Sequence, residues 1–404
     1  MQPDADTPAD DHLPEEAYAA ALASVPGIGP KTLRALLEDA SPTAAWEAVT
    51  SGRAHVPTSR RAGAATRGPG SIDVRAVWQA HREAGIRVSV LGRPGYPAVL
   101  ADDPEAPAVL FSLGEPRVLD GAPRVAVVGT RSATRYGLGV AAQLGADLAA
   151  AGVVVVSGLA LGIDGAAHEG AVAAWRTSCS EGAPTLSETG ARPRPAPPVG
   201  VVAGSVDSPY PRQHAGLWRR VAAAGAVVSE APIGVADVAA WRFPMRNRII
   251  AAVCDVVVVV ECHSRGGSLH TVAAATARGI PVGAVPGSVR SPASAGTNAL
   301  LADGCFVVRD AADALVAVGL SWASTRPPIP SSGVSPPASP VSDLRNDDLP
   351  SPTREIADAV GWDPTPLDEI LERSGLAMAD ACGALERLRA RGIVHGEGGW
   401  WERA

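Results

Sequence analysis

Aromatic residues are scarce in this 404-residue chain, with three Phe, four Tyr and nine Trp making up 4% of the total. The hydrophobic fraction is nevertheless 46%, so a core must be built from Ala, Val and Leu. Cysteine is also sparse. The five, Cys179, Cys254, Cys262, Cys305 and Cys382, contain no CxxC pair, and an odd, dispersed set fits a reducing compartment rather than a disulfide framework. The eight His residues show no metal-ligand spacing. Long apolar runs are missing as well: the longest, IIAAVCDVVVVV, is too short for a bilayer and contains Asp255. The N-terminal MQPDADTPADD is acidic and polar, unlike a signal peptide. Nor is there a general excess of positive charge. Lys and Arg total 35 against 42 Asp and Glu, a net charge of −7, which excludes a protein coated in basic charge but leaves room for a local basic patch. These absences describe a soluble cytoplasmic protein with no membrane segment and no metal site.

The pattern along the chain divides it into parts. Residues 1–12 read as a disordered tail. Residues 13–115 form an N-terminal helical region around SVPGIGPKTLRALLEDA, of helix-hairpin-helix or SAM-like type. Within it, 51–71 is a polar, Gly-rich connection, and one helix and short extended pieces broken by proline follow. From 116 to 318 the pattern is α/β. RVAVVG, VVVVSG, PVGVVAG, AVVSE, DVVVVVE and PVGAVPG are short aliphatic strands separated by helices such as YGLGVAAQLGADLAAAG and DGAAHEGAVAAW. Continuous aliphatic strands alternating with helices imply a doubly wound, mostly parallel sheet covered on both faces. Residues 319–350, rich in Pro and Ser, read as a linker. Residues 351–404, three helical stretches and then GIVHGEGGWWERA, have the outline of a winged helix.

Ligands of such a sheet bind beyond the carboxyl ends of its strands. There the sequence places Gly129, Thr130 and Arg131, then Ser157 and Gly158, then Gly204 to Gln213 with Arg212, then Glu230, then Glu261 and the SRGGS loop with Gly267 and Ser268. Glycine permits close backbone approach to phosphate, and the following helix turns present N–H groups; several such loops at one edge favour an anionic ligand over mere turn chemistry. That ligand is not a dinucleotide. Arg131 stands where GxGxxG needs glycine, and no acid follows the second strand. Neither a P-loop nor GxSxG is present, so no cofactor is implied. Asp164 and His168 are four apart on a helix start and could hydrogen-bond, but a helix N-terminal Asp beside a packed His is the preferred account of them. What the loops supply is guanidinium: Arg131, Arg135, Arg212, Arg242, Arg246, Arg248 and Arg265. Such a cluster suits holding several phosphates rather than cleaving one.

Together, VAVVGTRSATRYG, VVSGLALGIDGAAHEGA, VDSPYPRQHAGL, GAVVSEAPIG, FPMRNRIIAAVCDVVVVVE, GGSLHTVAAATARGIPVGAVPG and SAGTNALLADGC resemble the DNA-processing protein A family (DprA/Smf), in its order and spacing. The resemblance covers nearly all of 124–305. The upstream GYPAVLADDPEAPAVLFSLG and the C-terminal segment are similar to the family too. It implies an extended Rossmann-like domain, flanked by the helical and winged-helix domains, that binds single-stranded DNA without sequence preference. It also implies loading of RecA recombinase during natural transformation, a homodimer through the Rossmann-like domain and no catalytic turnover. The DNA-binding residues it implies are Gly129, Thr130, Arg131, Ser157, Gly158, Arg212, Phe243, Arg246, Asn247, Arg248, Gly267 and Ser268. Arg131 is the arginine of VGTR, Arg212 the basic residue after YP, and Arg246 the better candidate of the RNR pair. Here Gly266 replaces the family's serine and His270 its isoleucine, and 177–198 is an insertion. Phosphate contact should dominate, because Tyr210, Trp241 and Phe243 are the only nearby aromatic candidates.

Two other classes compete. A nucleotide phosphoribohydrolase on a related fold needs a PGGxGTxxE loop, whereas SRGGSLHTVAAA lacks the PGG start and has Ala273, Ala274 and Ala275 where the acid would stand. A nucleotide-sensing protein would not need every family segment. In the flanking modules, the Gly27-Ile28-Gly29 turn beside Lys31 reads either as a phosphate-holding hairpin or as a packing module. The winged helix carries Arg387, Arg389 and Arg391, but acids outnumber bases there, which favours a protein-contact or structural role.

Overall fold

The six aliphatic runs become strands of one sheet in the computed structural model, which describes residues 13–54, 69–180, 194–235, 239–320, 353–360, 365–391, 393–397 and 400–403. The 1–12 tail, most of the 51–71 connection, most of the 177–198 insertion and nearly all of the 319–350 linker lie outside the described residues. The chain forms two units, Met1–Pro327 and Pro328–Ala404.

In the first unit the strands are β1 (Arg87–Val90), β2 (Val109–Gly114), β3 (Arg124–Val128), β4 (Val154–Ser157), β5 (Val199–Val202), β6 (Ala226–Ser229), β7 (Val256–Val259), β8 (Val282–Ala284) and β9 (Phe306–Val307). Their order is β1-β2-β6-β5-β4-β3-β7-β8-β9. From β6 to β9 all neighbours are parallel, while β2 pairs antiparallel with β6, and β1 with β2. The aliphatic density of the strands follows from burial on both faces. Val125, Val127, Val155, Val256 and Val258 pack into one cluster, and Ala126, Val128, Val154, Val156, Val257 and Val259 into another. Side chains alternate across a strand, so neither face here can carry the polar residues that usually mark every second position. Residues 87–114, grouped with the helical region on pattern alone, supply β1 and β2, and β9 extends the far edge.

The helices Arg135–Ala150 and Ile163–Ser180 follow β3 and β4. Thr134 caps the first by accepting the Gly137 N–H at 3.1 Å. The two helices interlock through glycine. A Cβ on Gly145 would overlap the Ala167 carbonyl, and one on Gly170 the Ala142 carbonyl. At the N-terminus, helices Glu15–Ser24 and Pro30–Glu38 are joined by a turn in which Gly27 has φ 96°, a left-handed conformation that glycine adopts without steric cost.

The second unit has helices Thr353–Ala359, Leu367–Ser374 and Met378–Ala390, with β10 (Thr365–Pro366), β11 (Val394–Glu397) and β12 (Trp400–Arg403) in the order β10-β12-β11. Ile356, Ile370, Leu385 and Leu388 form its buried centre. This is a winged helix. No helix among the described residues is long and apolar enough to cross a membrane.

Candidate nucleic-acid interface

Chain order reverses between β3 and β7, where an open α/β sheet ordinarily has its ligand crevice. Here that crevice is closed. Glu261, 1% exposed, accepts the Thr134 N–H at 2.9 Å and the Thr134 hydroxyl at 2.5 Å. Gly137 is pressed against it so tightly that a Cβ would overlap the carboxylate. The opening lies instead beyond β4 and β5, as a solvent-open recess.

One wall of this recess is a stack of rings and charge. The Thr130 N–H donates to the Glu261 carbonyl at 2.8 Å, and the Thr130 carbonyl accepts the Ile163 N–H at 3.2 Å. These bonds pin the loop after β3 and leave the Arg131 side chain exposed. Its guanidinium carbon sits 4.6 Å from the centroid of Phe243, a cation–π distance. Phe243 in turn lies 5.8 Å from Tyr210 at an interplanar angle of 47°, and Tyr210 is 48% exposed. The floor is Arg246. It is buried, donating from Nη1 to the Val201 carbonyl and from Nε to Asn247 Oδ1 at 3.1 Å. Gly158 lies flat against its guanidinium. Burial lowers the pKa of Arg246 to about 10, so the group remains cationic at neutral pH.

Among the described residues no catalytic constellation lines the recess. Asp164 accepts the Gly158 N–H at 3.1 Å, and burial raises its pKa against the opposing pull of Arg246. His168 does not pair with that carboxylate; its Nε2 lies 3.2 Å from the Val199 carbonyl. Burial, reinforced by the charges of His214 and Arg246, lowers the imidazole from 6.5 to about 4. The unfolded chain therefore takes up this proton first, and stability falls as pH drops from 6.5 towards 4, by about 2 kcal/mol at pH 5. Asp164 works in the opposite sense. The expected outcome in thermal melts is that His168→Gln, which keeps a donor for Val199, loses distinctly less Tm than wild type between pH 6.5 and pH 5. Equal losses would show that His168 is not held neutral.

Residues 87–319 match the family model described as DNA recombination-mediator protein A, and residues 336–388 match the DprA winged helix domain. The chain belongs to the DNA recombination-mediator protein A family. A Mycobacterium tuberculosis protein named DprA is 40% identical over 299 residues, covering 73% of this chain and 68% of the relative. Protein Smf of Escherichia coli (strain K12) is 32% identical over 302 residues, covering 74% and 72%. The X-ray structure of DNA processing protein A from Streptococcus pneumoniae matches with TM-score 0.54 and 25% identity, covering 75% of this chain and 98% of that one.

In this DprA-family chain the twelve site residues expected from sequence do not form one surface. Arg131, Gly158, Phe243 and Arg246 line the recess. Gly129 and Thr130 shape the loop that carries Arg131. Arg212 is exposed immediately after Tyr210 and Pro211 on the rim. Two of the expected residues have their side-chain groups engaged within the fold. Ser157 is fully buried, and its hydroxyl is committed to the Val127 carbonyl at 2.6 Å, so it has no surface to offer. Arg248 gives its charge to Glu230, bonding both carboxylate oxygens at 2.7 Å, and also reaches the Glu105 carbonyl; it is a structural cation. Asn247, Gly267 and Ser268 lie away from the recess lining. Asn247 donates to the Gly267 carbonyl at 3.4 Å, and Ser268 donates to the Cys262 sulfur at 3.0 Å.

Leu161, Ala203 and Gly204 also line the recess; the sequence placed the Gly204 loop at this edge but singled out none of the three as a site residue. The buried Leu159 has φ 54°, an unusual conformation for a non-glycine residue. It turns the SGLALGID loop so that Leu161 is 37% exposed. No periodicity in the sequence signals that turn.

Proposed function

We propose that this chain binds single-stranded DNA, without regard to base sequence, in the recess between Arg131 and Arg246, and delivers it to a RecA-type recombinase during DNA uptake. The single observation that carries the reading is the wall itself. A guanidinium, a half-buried ring and an exposed ring stand in contact above a second, buried guanidinium. Such a wall offers a stacking face to any base and positive charge to the phosphates. Two of the aromatic candidates, Tyr210 and Phe243, line this recess, so stacking shares the work with phosphate contact. Family membership supports the mediator role, and the resemblance supports a homodimer through the Rossmann-like unit. The reading is of a binding protein rather than an enzyme. The acid nearest the closed crevice, Glu261, is turned into the Thr134 cap and away from any substrate, which counts against a phosphoribohydrolase.

A gel shift with matched single- and double-stranded oligonucleotides at two salt concentrations tests this. Tighter, steeply salt-dependent binding of the single strand is expected; equal binding of duplex would sink the reading. Gly158→Ala is a sharper probe. The new Cβ would overlap Arg246 Nη1, the atom that donates to the Val201 carbonyl, while Nε is held by Asn247. The floor must shift, at an overpacking cost of roughly 1–3 kcal/mol. Fluorescence anisotropy on a labelled oligonucleotide should show about a tenfold loss of affinity in the folded variant. Unaltered affinity would remove Arg246 from the site.

A further inference from the structure

A second recess adjoins the first and shares Val202, Ala203 and Arg246 with it. Its far wall is Pro30, the first residue of the helix after the Gly27-Ile28-Gly29 turn, so the N-terminal hairpin reaches the mouth of the sheet. Its rim carries Trp241, 50% exposed, with the Arg242 guanidinium carbon 4.9 Å from the ring centroid. This repeats the ring-and-guanidinium pair of Phe243 and Arg131. Deeper in stands Glu230, locked to Arg248 through both oxygens. With Glu230 paired to Arg248, the charge this recess leaves open is that of the guanidinium groups, Arg242 at its rim and Arg246 where it meets the first recess, which suits a phosphate held at the edge. A carboxylate that spends one acceptor site per oxygen on Arg248 still has lone pairs for base N–H groups. Lys31, next to Pro30, is exposed and is the only lysine in the chain.

We propose that this recess is a second nucleotide subsite for the same strand. A base enters against Trp241 and Pro30, and the sugar–phosphate backbone passes along Arg242 towards Lys31. The proposal rests on the reading of the first recess as a single-stranded DNA site. It makes the hairpin part of the DNA path and sets a minimum strand length for full affinity.

Titration of (dT)3 and (dT)12 against the full chain separates the two subsites. Trp241 is half exposed, so Trp241→Ala should fold, as circular dichroism would verify. That variant should bind (dT)3 within twofold of wild type and (dT)12 at least fivefold more weakly. Because Lys31 is the only lysine, acetylation by an amine-reactive reagent, read on its peptide by mass spectrometry, reports the hairpin alone. In wild type, (dT)12 should protect Lys31 and (dT)3 should not. The subsite is overturned if Trp241→Ala affects neither oligonucleotide, if it affects both equally, or if saturating (dT)12 leaves Lys31 fully reactive. If Arg131→Ala leaves (dT)3 binding untouched, the first recess itself has been misread, and the subsite falls with it.

Discussion

The Arg131→Ala, Arg212→Ala double variant is expected to bind single-stranded DNA about a hundredfold more weakly than wild type, with its fold intact. Neither side chain is buried, and among the described residues neither has an ion-pair partner. Truncation should therefore cost little stability. Each charge-assisted contact to a phosphate is worth roughly 1.5 kcal/mol or more, and two of them correspond to about two decades in Kd. Each neutralised phosphate also contributes about 0.7 to the slope of log affinity against log salt on single strands, so the double variant should flatten that slope by about 1.4. The loss should be alike on oligo-dT and mixed sequence, because phosphates carry no base information. A folded double variant with the wild-type salt slope would mean that the strand does not run past this loop.

Gly170→Ala should destabilise the first unit by roughly 3 kcal/mol or more, near the top of the usual range for a single substitution. The added methyl would overlap the Ala142 carbonyl and stand 3.0 Å from the Ala146 nitrogen. These are backbone atoms, which no rotamer change can move aside. The Arg135–Ala150 and Ile163–Ser180 helices would have to separate, and the first of them carries the Thr134 cap that holds Glu261. In a unit of this size such a loss lowers Tm by about 6 °C or more. Gly139→Ala is the control. It lies on an exposed face of the Arg135–Ala150 helix with nothing within 4 Å of its Cβ, and it should stabilise slightly because alanine is the better helix former. Matched thermal melts decide the point: if both variants melt together, the helices are not interlocked as described.

Much of the architecture was legible because burial on both faces leaves a strong mark. Val256, Val257, Val258 and Val259 are all fully buried, and four aliphatic residues in a row between turns have few alternatives to a central parallel strand. The strands β1, β2 and β9 left weaker marks. β1 and β2 lie on one flank of the sheet, with prolines in the chain between them, and β9 is two residues long at the opposite edge. Prolines around β1 and β2, and the two-residue length of β9, keep these segments from standing apart from loops.

The site was legible only as a list of charges. The sequence by itself determined that guanidinium groups, glycines and hydroxyls would gather beyond the strand ends, since the aliphatic pattern marks each strand and the loop that follows it. It determined the family as well, because the segments occur together and in order. What it could not determine was how each charge is spent. Arg246 and Arg248 are two residues apart in one helix, yet one forms the floor of the recess and the other is neutralised by Glu230 at 2.7 Å. Ser157 and Gly158 are adjacent, yet one is sealed inside and the other lies against a guanidinium. Tertiary structure alone decided these cases. A side chain's charge is local information, but its partner and its exposure depend on residues brought together from distant parts of the chain. The hairpin shows the same physics: only the folded chain sets Pro30 beside Trp241 and Arg242, more than two hundred residues further along.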